Sequence, residues 1–209
     1  MTRSASLHQS WLPAKAVAAA LVAMLALASP ARAATAWVTD PARSSLAFVA
    51  TQAGGEFDGQ FRRFNADIAF DPGDLAGGRF HVTIDTASAD TRDETRDKAL
   101  IGDEFFASAR WPTATFDATR FTALPDGRFD ARGRLTIRGI SRDVNLRFTF
   151  KPGADGPRAV LAGGTTIRRL DFGVGQGEWQ DTKWVGNDVR IEFKLVLEPE
   201  PALANGKGT

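Results

Sequence analysis

Residues 128–138 read RFDARGRLTIR, and the pattern splits completely into two sets. Phe129, Ala131, Gly133, Leu135 and Ile137 occupy one set of alternate positions; Arg128, Asp130, Arg132, Arg134, Thr136 and Arg138 occupy the other. Successive side chains of a strand point to opposite faces, so this segment is a strand with an apolar interior on one side and water on the other. DVNLRFTF (143–150) repeats the pattern, with Val144, Leu146, Phe148 and Phe150 against Asp143, Asn145, Arg147 and Thr149. In VRIEFKLVL (189–197), Val189, Ile191, Phe193, Leu195 and Leu197 oppose Arg190, Glu192 and Lys194. Weaker alternation predicts strands over 45–52, 60–71, 79–87, 113–124 and 159–169. FDPGD (70–74), LPDGR (124–128), IRGIS (137–141) and KPGADGP (151–157) carry the Gly, Pro and Asp of tight turns. Eight alternating strands with short joins form an antiparallel meander, and their even spread calls for closure into a barrel or a sandwich.

One stretch departs from this period. TRDETRDKALIG (91–102) sets Thr91 and Glu94 at capping-box spacing, Glu94 four residues before Lys98, and Gly102 as a stop. It predicts a short helix whose charges face water while Ala99, Leu100 and Ile101 dock. The following DEFFASARWP puts Phe105, Phe106 and Trp111 in an irregular connector, a plug or lip for a barrel.

The chain opens with Arg3, His8 and Lys15, an apolar run over 16–28, and the small-residue site Ala31-Arg32-Ala33. This is the pattern of a signal peptide over 1–33, cleaved near Ala33, which places the mature chain in the periplasm. The apolar run is shorter than the roughly 20 residues of a spanning helix. Loss of Arg3, Lys15 and Arg32 lowers Lys+Arg from 26 to 23 against 25 Asp+Glu, a net charge of 23 − 25 = −2. That balance offers nothing to nucleic acid. Residues 34–198 are then one domain, and the Pro-rich, polar 199–209 is expected to be a disordered tail.

With no cysteine, disulfides and thiolate chemistry are excluded. His81 is the one histidine beyond the leader, which leaves a Ser-His-Asp triad or a His-based zinc site a single candidate, and its strand position faces outward. Asp85, Asp90, Asp93, Glu94, Asp97, Asp103 and Glu104 crowd one region, but no spacing isolates a matched acid and base, so they read as solvated surface. The pairs Arg62-Arg63 and Arg168-Arg169 lie where an apolar face shifts register. They fit either exposed barrel charge or contacts to an anionic head group at a barrel mouth. DFGVGQGEW (171–179) spaces its glycines like a dinucleotide loop, yet another strand follows where a phosphate-binding helix should start. Its glycines are expected to turn the chain at the barrel rim, with Phe172 and Trp179 packing into or over the end. The aromatic content is 15 Phe and 5 Trp with no Tyr, bulk without phenol hydroxyls. An eight-stranded barrel is just wide enough to be filled or to hold one small ligand, and inward Ala66, Ala118, Ala131, Gly133 and Gly163 would leave room.

Five stretches together resemble the YceI-like family of lipocalin-like periplasmic proteins that bind polyisoprenoids and other long amphiphiles. They are SSLAFVA, GQFRRFNADIAFDP, IDTASADTRDETRDKALIGDEFFASARWPTATF, GRLTIRGISRDVNL and LDFGVGQGEWQDTKWVGNDVRIEFKLVLE. The resemblance implies an all-β fold, an eight-stranded antiparallel lipocalin-like barrel with one short helix, around an elongated apolar channel. It implies a binding protein with no catalytic residues, metal or cofactor. Its partner would be an amphiphilic isoprenoid or quinone-like lipid, with a membrane redox protein as a further partner if the barrel hands on a quinone in a stress response. By matching position and inward alternation, the lipid-binding wall is Phe48, Phe61, Phe64, Ile68, Ile84, Leu100, Phe105, Phe106, Phe116, Leu135, Ile137, Leu146, Phe148, Ile167, Phe172, Trp179, Trp184, Ile191 and Phe193. Many relatives carry a His after the first strand, where this chain has Thr51 and Gln52. A scavenger of hydrophobic toxins or antibiotics and a lipid-modifying enzyme are the alternatives, and both a monomer and a homodimer fit.

Overall fold

Pairing follows the alternation closely in the described residues, 34–153 and 156–200 of a computed structural model. The leader, and the tail beyond Glu200, lie outside them. The strand segments are β1 (Ala36–Thr39), β2 (Ser45–Gln52), β3 (Gly55–Phe61), β4 (Phe64–Ala69), β5 (Arg79–Asp85) and β6 (Ala89–Asp90). They continue with β7 (Thr113–Ala123), β8 (Phe129–Ile137), β9 (Ile140–Pro152), β10 (Ala159–Arg168) and β11 (Asp188–Pro199). Eight of them close an antiparallel ring in the order β1-β4-β5-β7-β8-β9-β10-β11, with β11 returning to β1. The other three, β2, β3 and β6, extend from β11 above the ring.

Two expected strands are interrupted. The edge of β11 pairs first with β2, over 190–194, and then with β1, over 197–199. Between β1 and β2 the chain makes a 3-10 turn over Pro41–Arg43. The expected strand 60–71 breaks at Arg62-Arg63 into the end of β3 and β4, and 79–87 stops at Asp85, where a 3-10 turn over Thr86–Ser88 leads on to β6. Sequence alternation did not reveal β1, whose four residues are too few to show a period, or β3, whose Gly55 and Gly59 interrupt it. At the far end β11 continues through Pro199, so the ladder reaches into the segment expected to be tail.

The helix α1 spans Glu94–Ile101. Asp93, not Thr91, caps it: its carboxylate accepts from the Thr95 and Arg96 amides. Thr91 instead donates its amide and hydroxyl to Asp97 Oδ1, both at 2.7 Å. Only Leu100 of the expected docking trio is buried, while Ala99 and Ile101 face water.

β9 and β10 pair only over Arg147–Pro152 and Ala159–Gly164. Beyond Gly164 the strands part, β9 staying with β8 and β10 with β11.

Candidate functional site

Three layers stack inside the barrel. The floor is an aromatic cluster at the closed ring. Phe70 and Phe148 are 0% and 1% exposed with centroids 5.2 Å apart. Phe80, Phe121, Phe129 and Phe150 pack around Phe70, and Trp37 meets Phe150 edge-on at 5.5 Å. Seven rings close together fill this end, and tilted and edge-to-face geometries predominate.

Above the floor lies a cavity of about 170 Å³. Fifteen of the nineteen residues expected to form the wall line it: Phe48, Phe61, Phe64, Ile68, Ile84, Leu100, Phe105, Phe106, Phe116, Leu135, Ile137, Leu146, Ile167, Ile191 and Phe193. The other four are elsewhere. Phe148 belongs to the floor, and Phe172 is buried at 2% exposure behind the wall. Trp179 sits outside on Phe105, centroids 5.6 Å apart, and Trp184 is 61% exposed. Leu46, Ala50, Val144, Val189 and Leu195 also line the cavity, on the same alternate positions as residues already expected there. Phe57, Val174 and Val185 line it without any periodic signal.

The small inward residues do not supply the space. Ala66, Ala118, Ala131, Gly133 and Gly163 are absent from the lining. A Cβ on Gly133 would stand 2.6 Å from the Phe116 ring, and one on Gly163 would strike the Phe148 backbone. Their smallness is used up by neighbouring phenylalanines, as expected of interiors packed to crystal-like density. Ala50 and Ala114 are the small residues that do face the cavity.

The roof consists of α1, the connector after it, and the loop 173–187. Leu100, Phe105, Phe106, Val174 and Val185 form its underside, and Phe61 meets Phe106 at 5.7 Å. Arg169 ties the loop down. It is 3% exposed, and its guanidinium donates to the carbonyls of Val174 (2.8 Å), Trp179 (2.6 Å), Val185 (2.6 Å) and Gly186 (2.9 Å). Burial lowers its pKa below the ordinary arginine value, and no carboxylate pairs with it among the described residues. Gly175 has φ +89, and a Cβ there would collide with the Arg169 guanidinium. The glycine therefore meets two demands at once, a left-handed backbone and a close approach. A second tie is Arg138 at the β8–β9 turn, whose guanidinium donates to the Asp103 and Phe105 carbonyls. Burial lowers its pKa first of all, with Arg110 adding to the effect and Asp103 opposing it. Trp111, expected in a plug, lies outside, with the Arg110 guanidinium 4.4 Å and that of Arg138 5.0 Å from its ring centroid.

The four head-group candidates have other partners. Arg62 pairs with Asp90 at 2.6 Å, Arg63 with Asp85 at 2.8 Å and Arg168 with Asp171 at 2.8 Å, the arginines themselves being exposed. Arg169 is committed to carbonyls. The acidic group is likewise employed: Asp93 caps α1, Asp97 holds Thr91, and Glu104 accepts from the Trp179 indole at 2.6 Å. His81 lies on the outer face, Nδ1 2.6 Å from Asp117 directly across the ladder. A recess between α1 and β2 does hold polar groups beside apolar ones. Arg96 donates to Gln52 Oε1 at 3.2 Å and lies 4.3 Å over the Phe57 ring, and the recess shares Phe57, Leu100, Phe105 and Val185 with the cavity.

Polar chemistry inside the cavity is sparse. Thr86, Thr165 and Arg169 are its polar-side-chain lining residues. Thr86 donates to the Trp111 and Pro112 carbonyls, and Arg169 is saturated as described. No buried side-chain nitrogen or oxygen among the described residues lacks a partner. An interior of this kind accepts an apolar chain and has little with which to hold a polar one.

Residues 37–197 match the YceI-like domain. The chain belongs to that family. Among solved YceI-like folds, Burkholderia cenocepacia BcnA is 33% identical with a TM-score of 0.72, over 76% of this chain and 98% of that one. A Campylobacter jejuni YCEI protein is 28% identical with a TM-score of 0.59, over 68% and 85%. A polyisoprenoid binding domain from Saccharophagus degradans shares the fold at 17% identity and TM-score 0.61, over 79% and 99%. A UPF0312 protein of Vibrio vulnificus is 29% identical over 76% of this chain and 87% of its own length.

Proposed function

We propose that this YceI-like protein is a periplasmic binding protein that sequesters or carries one long apolar lipid, a polyisoprenoid or an isoprenoid quinone, in its barrel. The observation that carries this reading is the cavity, floored by phenylalanines and almost free of polar groups. Burial of ligand hydrocarbon supplies the affinity, and the length and bends of the cavity supply the selectivity. At about 0.3 kcal/mol per heavy atom, a buried run of roughly 20 carbons is worth about 6 kcal/mol and one of roughly 40 about 12. Those values correspond to affinities of tens of micromolar and nanomolar, so the measured Kd reads how much of the chain lies inside. The polyisoprenoid binding named for the S. degradans domain is consistent with this choice of ligand.

An enzymatic role would require an inward polar side chain free to act. Thr165 is the lining residue that makes no side-chain hydrogen bond among the described residues, and it has neither a base nor an acid beside it in the lining. This lining supports binding as the proposed role. Native mass spectrometry and organic extraction of protein purified from a periplasmic fraction test the proposal. The expected result is a co-purifying prenyl lipid; a lipid-free barrel indifferent to added polyprenols and quinones would overturn it.

A further inference from the structure

The floor is packed with rings and the roof is tied by arginines, which raises the question of how a chain reaches the cavity. The parting of β9 and β10 answers it. Below the fork the two strands are laddered, and the inward residues on either side, Phe148 and Leu161, are each 1% exposed. Above the fork, no backbone hydrogen bond among the described residues joins 141–146 to 165–168. Of the cavity-lining residues there, Val144, Leu146 and Thr165 are half-buried and Ile167 is buried. Ile191 and Phe193 line the cavity with similar partial exposure on the fully paired β11, so it is the missing ladder that marks an opening between β9 and β10.

The opening is bounded and built. At its lower end stand Gly163 and Gly164, where a Cβ would run into the Arg147 and Ile191 carbonyls. Glycines let β10 press against both neighbours up to the fork, so the strands separate abruptly there. At its upper end the start of β9 touches the 3-10 turn Arg169–Phe172. Between these limits each strand contributes about four residues, a slit roughly 13 Å long at about 3.3 Å per residue. Lifting the roof would break the four hydrogen bonds of Arg169 and the contact of Arg96 with Gln52. Widening the slit breaks no ladder bond.

We propose that this slit between β9 and β10 is the side door through which the apolar chain enters and leaves the barrel, a route that rests on the lipid-binding reading above. The door is a gap in the sheet, so a lipid can be drawn in sideways along its length while floor and roof stay closed. A sheet edge left unpaired is otherwise a liability for a soluble barrel. Its retention beside a cavity accords with a passage.

The chain has no cysteine, so a pair can be introduced cleanly. Asn145 and Thr166 face each other on the continuation of the β9–β10 register, and both are exposed. The variant Asn145→Cys/Thr166→Cys is joined by oxidation or by a short bifunctional thiol reagent. Uptake and release of a benzoquinone with a ten-carbon tail are then followed by quenching of tryptophan fluorescence in stopped flow. Joining the pair should slow both rates at least tenfold and leave Kd within threefold, and reduction of the disulfide should restore the rates. Thr165→Phe, which narrows the slit without a crosslink, should slow them in the same sense. Gln52→Cys/Arg96→Cys, joined across the roof, should leave them within twofold. Unchanged rates with the slit joined, or slowing with only the roof joined, would overturn the door. Failure of the unjoined protein to take up quinone at all would instead refute the binding reading, and the door with it.

Discussion

Replacing Arg169 by methionine separates the roof's tie from the roof's packing. Methionine keeps much of the apolar stem but removes every donor, leaving the carbonyls of Val174, Trp179, Val185 and Gly186 without the guanidinium. The bonds to Val174 and Val185 are fully buried, and each carbonyl left unpaired there costs about 1–3 kcal/mol. Trp179 and Gly186 are less enclosed and can turn to water. Part of the loss is returned, because a guanidinium no longer has to be desolvated; the net expectation is about 3–5 kcal/mol. Urea denaturation followed by far-ultraviolet circular dichroism reads it directly. With a slope of roughly 1–3 kcal/mol per molar, the midpoint should fall by more than 1 M. Limited proteolysis should cut first within 173–187. Arg169→Lys should lose less than methionine, since an ammonium retains the charge and three donors but not the planar fork. A loss under about 0.5 kcal/mol for Arg169→Met, set against that 3–5 kcal/mol, would refute the assignment of the loop's order to this residue.

Floor and wall should respond differently to the same truncation. Phe148→Ala should cost about 3–5 kcal/mol and leave the lipid chain-length profile largely unaltered, whereas Phe193→Ala should cost less and shift that profile; denaturation and extraction with mass spectrometry check both. Gly175→Ala should destabilise by at least 2 kcal/mol, by displacing the guanidinium as well as straining a left-handed residue, and a thermal melt showing no change would count against the collision. Acid should loosen α1 before the barrel. The Asp93 carboxyl is held below its ordinary 3.8, chiefly by the Arg96 amide and against burial, with the Arg96 charge and the Thr95 amide assisting. A lowered folded-state pKa gives stability that is complete above 3.8 and is lost as pH falls through the folded value. Amide exchange in 94–101 should therefore rise in that acid window, and Asp93→Asn should flatten the dependence.

Much of the barrel was legible in residues 128–138, 143–150 and 189–197, because a period of two is a local property that survives whatever the strands later pair with. The same parity identified most of the cavity wall and would also have given Leu46, Val189 and Leu195. The arginine pairs were legible as breaks in register but not as surface ion pairs, since a charge does not reveal its partner until chains distant in sequence meet. The capping of α1 was misplaced by two residues because Thr91 and Asp93 are both good caps, and it is Asp97 that engages Thr91 in the fold.

By itself the sequence determined the alternating strands, the short helix and the apolar inner face, all set by residues a few positions apart. Only the tertiary structure decided depth. Phe148 and Leu146 share one face of β9, yet one seals the floor and the other edges an opening, because the ladder to β10 ends between them. Closure by β1, the burial of Arg169 and the side door have the same origin. Each depends on where separate strands stop pairing around the ring, and alternation records which way a side chain points but not how far along the barrel its partner extends.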